Sequence, residues 1–361
     1  MSRVYNFYAG PSTLPEPVLQ EIQRNIVDTN GEGLSIVETS HRSPMYEEVH
    51  DKAVDLIRTL LKVPKDYEIL LLGGGATLQF SMVPFNFLRP GGSCDIAVTG
   101  SWAKKARADA ALFGEVNVVF DGSASGFTSL PEAGEVKPNE GANYLHITSN
   151  ETIGGIQWAE FPKSGNVPMV ADMSSDIAGR QIDVSQFGLI YAGAQKNLGP
   201  AGAAVVIIRR DMLDRVPDDS PAYLNYKVHA EKNSLYNTPP VFSIYGMALT
   251  LQWVKDQGGV KAMEKRNTKK AKLLYDVIDR SDGFYRCPVD ENARSTMNVV
   301  FRLPTEELEA SFVGEAKRNG MVGLKGHRSV GGCRASLYNA MPVEGAEALA
   351  QFMKEFQEKY A

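Results

Sequence analysis

Short apolar runs recur between residues 68 and 208, and the stretches between them have the spacing of helices. Each run is continuously apolar rather than alternating, which is typical of strands buried on both faces of a sheet. The predicted strands are 68–72, 95–99, 115–120, 143–147, 168–171, 189–192 and 203–208. Strands that alternate with helices predict an α/β fold, with a mostly parallel sheet flanked by helices on both faces.

The two ends of the chain depart from this pattern. Residues 4–17 are rich in Gly, Pro and Ser, so we predict an extended arm that crosses a surface and leads into a helix. After the Gln257-Gly258-Gly259 break, the predicted elements are a charged helix at 260–279, strands at 297–302 and 333–336, and a closing helix at 343–359. We therefore divide the chain into an N-terminal arm (1–15), a large domain (16–256) and a smaller α+β domain (257–361).

Composition and charge narrow the classes of function. The chain carries a net charge of -5, and its basic residues are scattered rather than gathered into a stripe for nucleic acid. No apolar stretch approaches the roughly 20 residues that span a bilayer. Cys94, Cys287 and Cys333 are too widely spaced to suggest a metal site. We expect a cytoplasmic protein with no metal, no nucleic-acid partner and no membrane contact.

Lys196 is the most informative candidate for chemistry. It lies among small residues at 192–200, just after a predicted strand and 24 positions after Asp172, which ends another strand. A lysine amine shielded from water loses part of its preference for charge and can attack a carbonyl. Pyridoxal phosphate needs such a lysine, and also a carboxylate that keeps its ring nitrogen protonated. Taken singly, the two residues have simpler interpretations, as a surface lysine on a turn and an aspartate that caps a helix.

A glycine turn at 73–75 connects a predicted strand to a helix that opens with Ala76 and Thr77. Backbone N–H groups at such a helix start, together with the Thr77 hydroxyl, favour an anion such as a phosphate. The turn lacks the spacing of a dinucleotide fingerprint and the lysine of a P-loop. By itself it is equally consistent with tight packing between a strand and a helix.

Further candidates follow the ends of other predicted strands. Trp102 comes after the strand at 95–99 and could stack on a planar ring, although an indole packed under a loop is an equal alternative. Thr152 follows the strand at 143–147 and could bond a phenolate oxygen. Asn237 and Thr238 precede two prolines, in what is otherwise a rigid turn.

Two histidines are each followed by an arginine, His41-Arg42 and His327-Arg328, and Arg334 enters a predicted strand. Arginine binds carboxylates and phosphates through two parallel hydrogen bonds, and a neighbouring histidine adds another donor. These residues indicate an acidic substrate. The alternative is a set of solvent-exposed arginines without a specific partner.

Motifs over essentially the whole chain resemble the phosphoserine aminotransferases, which are fold-type I pyridoxal-phosphate enzymes of the class V aminotransferase group. The motifs are Asn6-Phe7 with Gly10-Pro11, Ser40-His41-Arg42-Ser43, the glycine turn at 73–75, Asn150-Glu151-Thr152, Asp172 with Ser174-Ser175, residues 191–201, Asn237-Thr238-Pro239-Pro240, Leu324-Lys325-Gly326-His327-Arg328, and Arg334-Ala335-Ser336 with residues 338–342. The resemblance implies pyridoxal 5'-phosphate as cofactor and a homodimer.

The resemblance also implies a role for each candidate. Lys196 would bind the cofactor covalently and move the proton between substrate Cα and cofactor C4′, while Asp172 pairs with the ring nitrogen. The cofactor phosphate would be held by Ala76, Thr77 and Gln195, with Asn237 and Thr238 of the partner subunit. Trp102 would stack on the ring and Thr152 would bond its phenolate oxygen. The substrate would be bound by Arg334 at its α-carboxylate and by His41, Arg42, His327 and Arg328 at its distal phosphate or carboxylate, with the first pair from the partner subunit.

The expected reaction is amino transfer from L-glutamate to 3-phosphohydroxypyruvate in serine biosynthesis, with formation of 4-phosphohydroxy-L-threonine for pyridoxine synthesis as a secondary activity. The chain departs from some members at Ala76-Thr77, where they have Gly-Arg, and at Ala9, where serine is frequent. Alternatives are a glyoxylate aminotransferase, a cysteine desulfurase that would use Cys333, and a noncatalytic nucleotide-binding α/β protein. Glyoxylate would not require two His-Arg pairs, and a nucleotide-binding role would leave Lys196 unexplained.

Overall fold

All seven predicted strands are present in the computed structural model, which describes residues 3–361. Within these residues the strands are β1 (Tyr5–Asn6), β2 (Tyr67–Gly73), β3 (Ser93–Val98), β4 (Glu115–Asp121), β5 (Leu145–Thr148), β6 (Asn150–Glu151), β7 (Ile156–Gln157), β8 (Met169–Asp172), β9 (Leu189–Gly193), β10 (Ala203–Arg209), β11 (Asn298–Phe301), β12 (Met321–Val322) and β13 (Cys333–Ser336). The helices are α1 (Glu16–Asn25), α2 (Pro44–Leu60), α3 (Gly75–Phe87), α4 (Ser101–Ala110), α5 (Arg210–Leu213), α6 (Tyr226–Glu231), α7 (Val241–Asp256), α8 (Gly259–Asp279), α9 (Glu306–Arg318) and α10 (Val343–Tyr360).

The predicted strands form one sheet in the order β2-β10-β9-β8-β5-β3-β4. β10 is antiparallel to both of its neighbours, and the other pairs in the sheet are parallel, so the prediction of a mostly parallel sheet is confirmed. The carboxyl ends of β2, β3, β5, β8 and β9 therefore meet at one edge. In an open α/β sheet this is the edge where ligands bind.

Helices cover both faces of this sheet, because its strands are apolar on both sides. Leu71 and Ile207 point into a core shared with α2 and α7, whereas their neighbours Leu70 and Val206 point into an opposite core shared with α3. Successive side chains of a strand alternate between faces, so a continuously apolar strand supplies both cores.

The N-terminal arm is more deeply embedded than the sequence predicted. β1 pairs in parallel with β12, and Phe7 is 0% exposed within a core built from residues 271–356. The expectation that the arm only crosses a surface is wrong at this residue. The buried Phe7 side chain and the pairing of β1 with β12 together anchor the arm, and composition alone reveals neither.

The structure also bears on the membrane and metal expectations, within residues 3–361. None of these helices has both the length and the apolar content needed to cross a bilayer. Over the same range, no three His, Cys, Asp or Glu side chains gather as a metal site would require. Cys94, Cys287 and Cys333 are free thiols.

Lys270 on α8 is a fully buried lysine outside the sheet edge. Its Nζ donates to the carbonyls of Leu337, Tyr338 and Met341, at 2.8, 2.7 and 3.0 Å. Burial lowers its pKa to about 7, while three carbonyl acceptors favour the charged amine. The lysine thereby fixes the segment that follows β13 and holds it against α8.

We expect Lys270→Met to lower the free energy of unfolding by about 2–4 kcal/mol, because three buried carbonyls lose their donor. Chemical denaturation followed by circular dichroism measures this change. Lys269→Met is the matched control, since Lys269 is exposed and pairs only with Glu347 at the surface. Equal stability of the two variants would contradict a structural role for the buried amine.

Candidate active site

A cavity of about 230 Å³ lies at the sheet edge where the strands end. The predicted site residues that line it are Ala76, Thr77, Trp102, Thr152, Asp172, Gln195, Lys196, His327 and Arg334. Ala9, Gly10, Phe80, Ile153 and Ser174 line it as well and were not among the predicted site residues. Residues from distant parts of the chain therefore meet in one small space.

The turn after β9 carries Lys196 and is held by close backbone contacts. Leu198 N and Gly199 N both donate to Ala194 O. Gly199 has a φ of 158° and passes so close to α7 that a Cβ there would be 2.9 Å from Met247 Cα. The small residues around Lys196 thus allow a helix and a turn to approach closely, which orients the lysine toward the cavity.

The Lys196 amine is hydrogen-bonded to a hydroxyl and lies in the field of two carboxylates. Its Nζ donates to Thr152 Oγ1 at 2.6 Å. Burial lowers the pKa of the amine to about 8, against the opposing charges of Asp172 and Glu151. A lysine with this pKa is neutral in a substantial fraction near pH 7–8, and only the neutral amine is a nucleophile.

Asp172 ends β8 with its carboxylate at the cavity. Ser174 donates to Oδ1 from its backbone N at 2.9 Å and from its hydroxyl at 2.6 Å. Gly193 N in turn donates to the Ser174 hydroxyl, which links the ends of β8 and β9. Burial raises the pKa of the Asp172 carboxyl, and the charge of Lys196 and the Ser174 hydrogen bonds oppose that rise. Ser174 is the positioning group that the sequence showed only as part of a motif.

The start of α3 is open to the cavity. Its N-cap is Gly74, with a φ of 86°, and no side chain caps the helix. A Cβ at Gly74 would lie 2.6 Å from Leu78 Cδ2, so glycine is required there. Ala76 and Thr77 in the first turn line the cavity, which gives it backbone donors suited to an anion.

Trp102 forms an aromatic wall of the cavity. The Lys196 amine lies 5.4 Å from its ring centroid, and Phe80 packs against it at 6.3 Å. The indole Nε1 is buried without a hydrogen-bond partner among the described residues. A flat ring wall beside an amine and a carboxylate suits a planar, partly charged ligand.

Arg334 supplies the positive side of the cavity, and His327 lies beside it. Arg334 Nη1 donates to Thr152 O at 3.2 Å, and its Nε is buried with no partner among residues 3–361. His327 bonds Ser329 Oγ at 2.7 Å. Burial and then the charges of Arg334, Arg328 and Lys105 lower the pKa of His327. A guanidinium and an imidazole thus lie at the cavity, and both can donate hydrogen bonds to a carboxylate or phosphate ligand.

Five predicted site residues do not line the cavity. Arg42, Arg328 and Thr238 are exposed, and His41 and Asn237 are half-buried. Asn237 Nδ2 donates to the neighbouring Thr238 O rather than to any group of the cavity. A single chain therefore brings together one part of the predicted set and leaves these five at its surface.

Pyridoxal phosphate fits the donors of this cavity. The space offers an amine for an aldehyde, a carboxylate on the neighbouring strand end, an aromatic wall and an uncapped helix start. The unpartnered Trp102 Nε1 and Arg334 Nε also leave polar groups for a ligand to satisfy. The chemistry of the residues thus agrees with the cofactor that the sequence implies.

Larger cavities are present within residues 3–361, but they carry less of this chemistry. One of about 350 Å³ shares Ile153 and Arg334 with the candidate site and is mainly apolar. Another of about 660 Å³ lies around residues 159–169 and 180–186, away from Lys196. Size alone would choose the wrong place, whereas the grouping of an amine, carboxylate and cations identifies the smaller cavity.

Known proteins resemble the chain over its full length. Residues 4–349 match the family model described as aminotransferase class V. Phosphoserine aminotransferase of Geobacillus kaustophilus is 54% identical, over 100% of both chains. A solved phosphoserine aminotransferase from Bacillus circulans subsp. alkalophilus is 50% identical with a TM-score of 0.97, over 99% of both chains. The solved PLP-bound phosphoserine aminotransferase from Trichomonas vaginalis is 38% identical with a TM-score of 0.89, over 98% of this chain and 100% of that one.

We expect the rate at which the Lys196 amine captures an aldehyde to rise steeply up to a pH of about 8, where half of the amine is neutral, and to gain at most about twofold above it. The physical reason is the lowered pKa, because an ordinary lysine is half neutral only near pH 10.5. The rate at which the cofactor-free protein gains visible absorbance on mixing with pyridoxal phosphate measures this. A rate that continues to climb toward pH 10 would contradict the assigned pKa.

Proposed function

This chain belongs to the phosphoserine aminotransferases of the class V aminotransferase family, and we propose that it transfers the amino group of L-glutamate to 3-phosphohydroxypyruvate. The products would be O-phospho-L-serine and 2-oxoglutarate. The observation that carries this proposal is the convergence of Lys196, Asp172 and Arg334 on one cavity, within a chain that is 54% identical to a full-length relative of that name.

The proposed cofactor is pyridoxal 5'-phosphate, which when bound supplies an electron sink for the bond cleaved at the substrate Cα. Lys196 would hold it covalently, Asp172 would face its ring nitrogen and Trp102 its ring face. The first turn of α3, with Ala76 and Thr77, and the Gln195 side of the cavity would hold its phosphate. The Thr152 hydroxyl, which accepts from the Lys196 amine, would donate to the phenolate oxygen of the ring.

Lys196 is placed to move the proton that amino transfer requires. Its amine lies inside the cavity between the Thr152 hydroxyl and the indole face of Trp102. A pKa of about 8 lets the amine take a proton from the substrate Cα and return it, because neither protonation state is strongly favoured near neutral pH. Asp172, held by Ser174, keeps a negative charge fixed at the other side of the cavity.

Arg334 and the residues near it would select acidic substrates. The unpartnered Nε of Arg334 and its guanidinium at the cavity suit the α-carboxylate shared by glutamate and the keto acid. His327 and Arg328 would bind the distal phosphate or carboxylate. Because Ala76-Thr77 stand where some relatives have an arginine, the distal phosphate would depend on these cations and on those of the partner subunit.

Four of the five predicted residues outside the cavity lead us to propose a homodimer. His41, Arg42, Asn237 and Thr238 would reach the cavity of the partner subunit, so that each site is completed by both chains. We also propose the division into an arm, a large domain ending at residue 256 and a small domain, and a cytoplasmic location. Formation of 4-phosphohydroxy-L-threonine in pyridoxine synthesis would be a secondary activity, since it presents the same phosphate and carboxylate.

The test of the reaction is an absorbance spectrum of the protein loaded with pyridoxal phosphate. L-Glutamate should abolish the visible band, and 3-phosphohydroxypyruvate should restore it, because the two half-reactions alternate. Hydroxypyruvate is the matched acceptor without phosphate and should restore the band far more slowly. A band that responds to glutamate but recovers equally with both acceptors would overturn the proposed substrate and leave the amino transfer intact.

Mixed dimers test whether Arg42 acts across the interface. Lys196→Ala and Arg42→Ala homodimers should each be nearly inactive. After the two proteins are unfolded and refolded together, the mixed dimer should regain one working site, made of Lys196 from one chain and Arg42 from the other. Random mixing predicts about a quarter of the wild-type rate, set by two-fold symmetry.

No recovery from the mixed dimers would contradict the shared site, provided that wild-type protein taken through the same refolding regains its rate. In that case Arg42 and Lys196 would have to serve the same cavity from one chain.

A further inference from the structure

Glu151 is a buried residue beside the candidate site, and the proposed function assigns no role to its carboxylate. It follows Asn150 on β6 and precedes Thr152, the residue that bonds both Lys196 and Arg334. Its side chain is 1% exposed. A buried acid is costly unless its oxygens are satisfied, so its partners indicate what it does.

Both carboxylate oxygens of Glu151 accept from the first turn of α4. Oε2 accepts from Trp102 N at 3.0 Å, and Oε1 accepts from Ala103 N at 2.9 Å. The helix has no cap of its own, because its N-cap is Gly100 and its first turn contains no acidic residue. Glu151 therefore supplies from 49 positions away the acceptor that most helices take from a neighbouring Ser, Thr or Asp.

Gly100 is shaped around the same carboxylate. A Cβ at this position would lie 2.5 Å from Glu151 Cδ and 2.7 Å from Oε2. The backbone φ of 172° is extended and open to any residue, so space for the carboxylate, not backbone freedom, requires glycine. Two separate parts of the chain are thus fitted to each other at the start of α4.

α3 and α4 both begin near the cavity without a cap from their own N-cap residue, but their first turns differ in what they bind. The first turn of α3 is open to the cavity, whereas the first turn of α4 is closed by Glu151. Burial raises the pKa of Glu151 to about 7, and the two backbone N–H bonds oppose that rise. The second start therefore does not receive a ligand anion. Instead, the hydrogen bonds to Glu151 fix Trp102, which lies in the first turn of α4.

We propose that Glu151 is a positioning residue that holds the indole of Trp102 at the angle needed to stack on the bound cofactor. It acts through the backbone of Trp102 rather than by touching the ligand. The inference rests on the proposed cofactor, pyridoxal phosphate. Two positioning contacts then come from the Asn150-Glu151-Thr152 segment, one to the backbone of Trp102 and one to the Lys196 amine.

A double-mutant cycle on cofactor binding tests the proposal. Cofactor-free protein is titrated with pyridoxal phosphate, and dissociation constants are compared for wild type, Glu151→Gln, Trp102→Ala and the double variant. Glu151→Gln should weaken binding about tenfold in the wild-type background and less than about threefold once the indole is gone, because residues that act through one another are not additive. The circular dichroism of the bound cofactor should also change in Glu151→Gln.

Gly100→Ala provides a second route that keeps the negative charge. The added Cβ displaces the carboxylate, so this variant should weaken cofactor binding as Glu151→Gln does and show the same dependence on Trp102. Gly134→Ala and Glu140→Gln are the matched controls, since nothing lies within 4 Å of a Cβ at Gly134 and Glu140 is an exposed loop residue. If Glu151→Gln does not fold, Gly100→Ala carries the cycle alone.

Losses that multiply in the double variants would overturn the proposal, because Glu151 would then act on the cofactor independently of the indole, for example through its charge near Lys196. Unchanged binding in both Glu151→Gln and Gly100→Ala would overturn it too. If wild-type protein itself binds no pyridoxal phosphate, the proposed function fails, which is a different result from either of these.

Discussion

A lysine amine buried beside carboxylates is the interaction on which the rest of the site depends. Lys196 is useful only if its amine loses its proton near neutral pH, and burial lowers its pKa to about 8 for that purpose. Burial without nearby negative charge would lower the pKa of the amine further. Asp172 and Glu151 oppose the shift, so the pKa settles at a value where the amine can both give and take a proton.

The topology of the sheet brings these charged groups together at one edge. β8 and β9 are parallel neighbours, so Asp172 at one strand end and the turn carrying Lys196 at the next share an edge. Ser174 joins the two ends by bonding the Asp172 carboxylate and the Gly193 amide. Buried charges need such fixed partners, because an unpaired one would cost several kcal/mol.

The pattern of the sequence was sufficient for the sheet and for part of the site. Continuous apolar runs identified every strand of the central sheet, and the strand ends led to Asp172, Trp102 and Thr152. Phe7, Ser174 and Glu151 were harder to find. Each acts through a contact with a residue far away in the sequence or through its backbone, and no periodicity or composition encodes that pairing. In the proposed homodimer, His41 and Arg42 act in the partner's cavity, and the apolar pattern of one chain holds no information on such an arrangement.

Within residues 3–361, burial strongly lowers the pKa of two lysines, and only one of them lies at the candidate active site. Lys196 lines the cavity, whereas the Lys270 amine is occupied by three carbonyls. Reduction of the protein with borohydride in the presence of pyridoxal phosphate, followed by peptide mass spectrometry, locates the amine that binds the aldehyde. We expect one label per chain, on Lys196. A label on Lys270, or one spread over surface lysines with Lys196 unmodified, would contradict it.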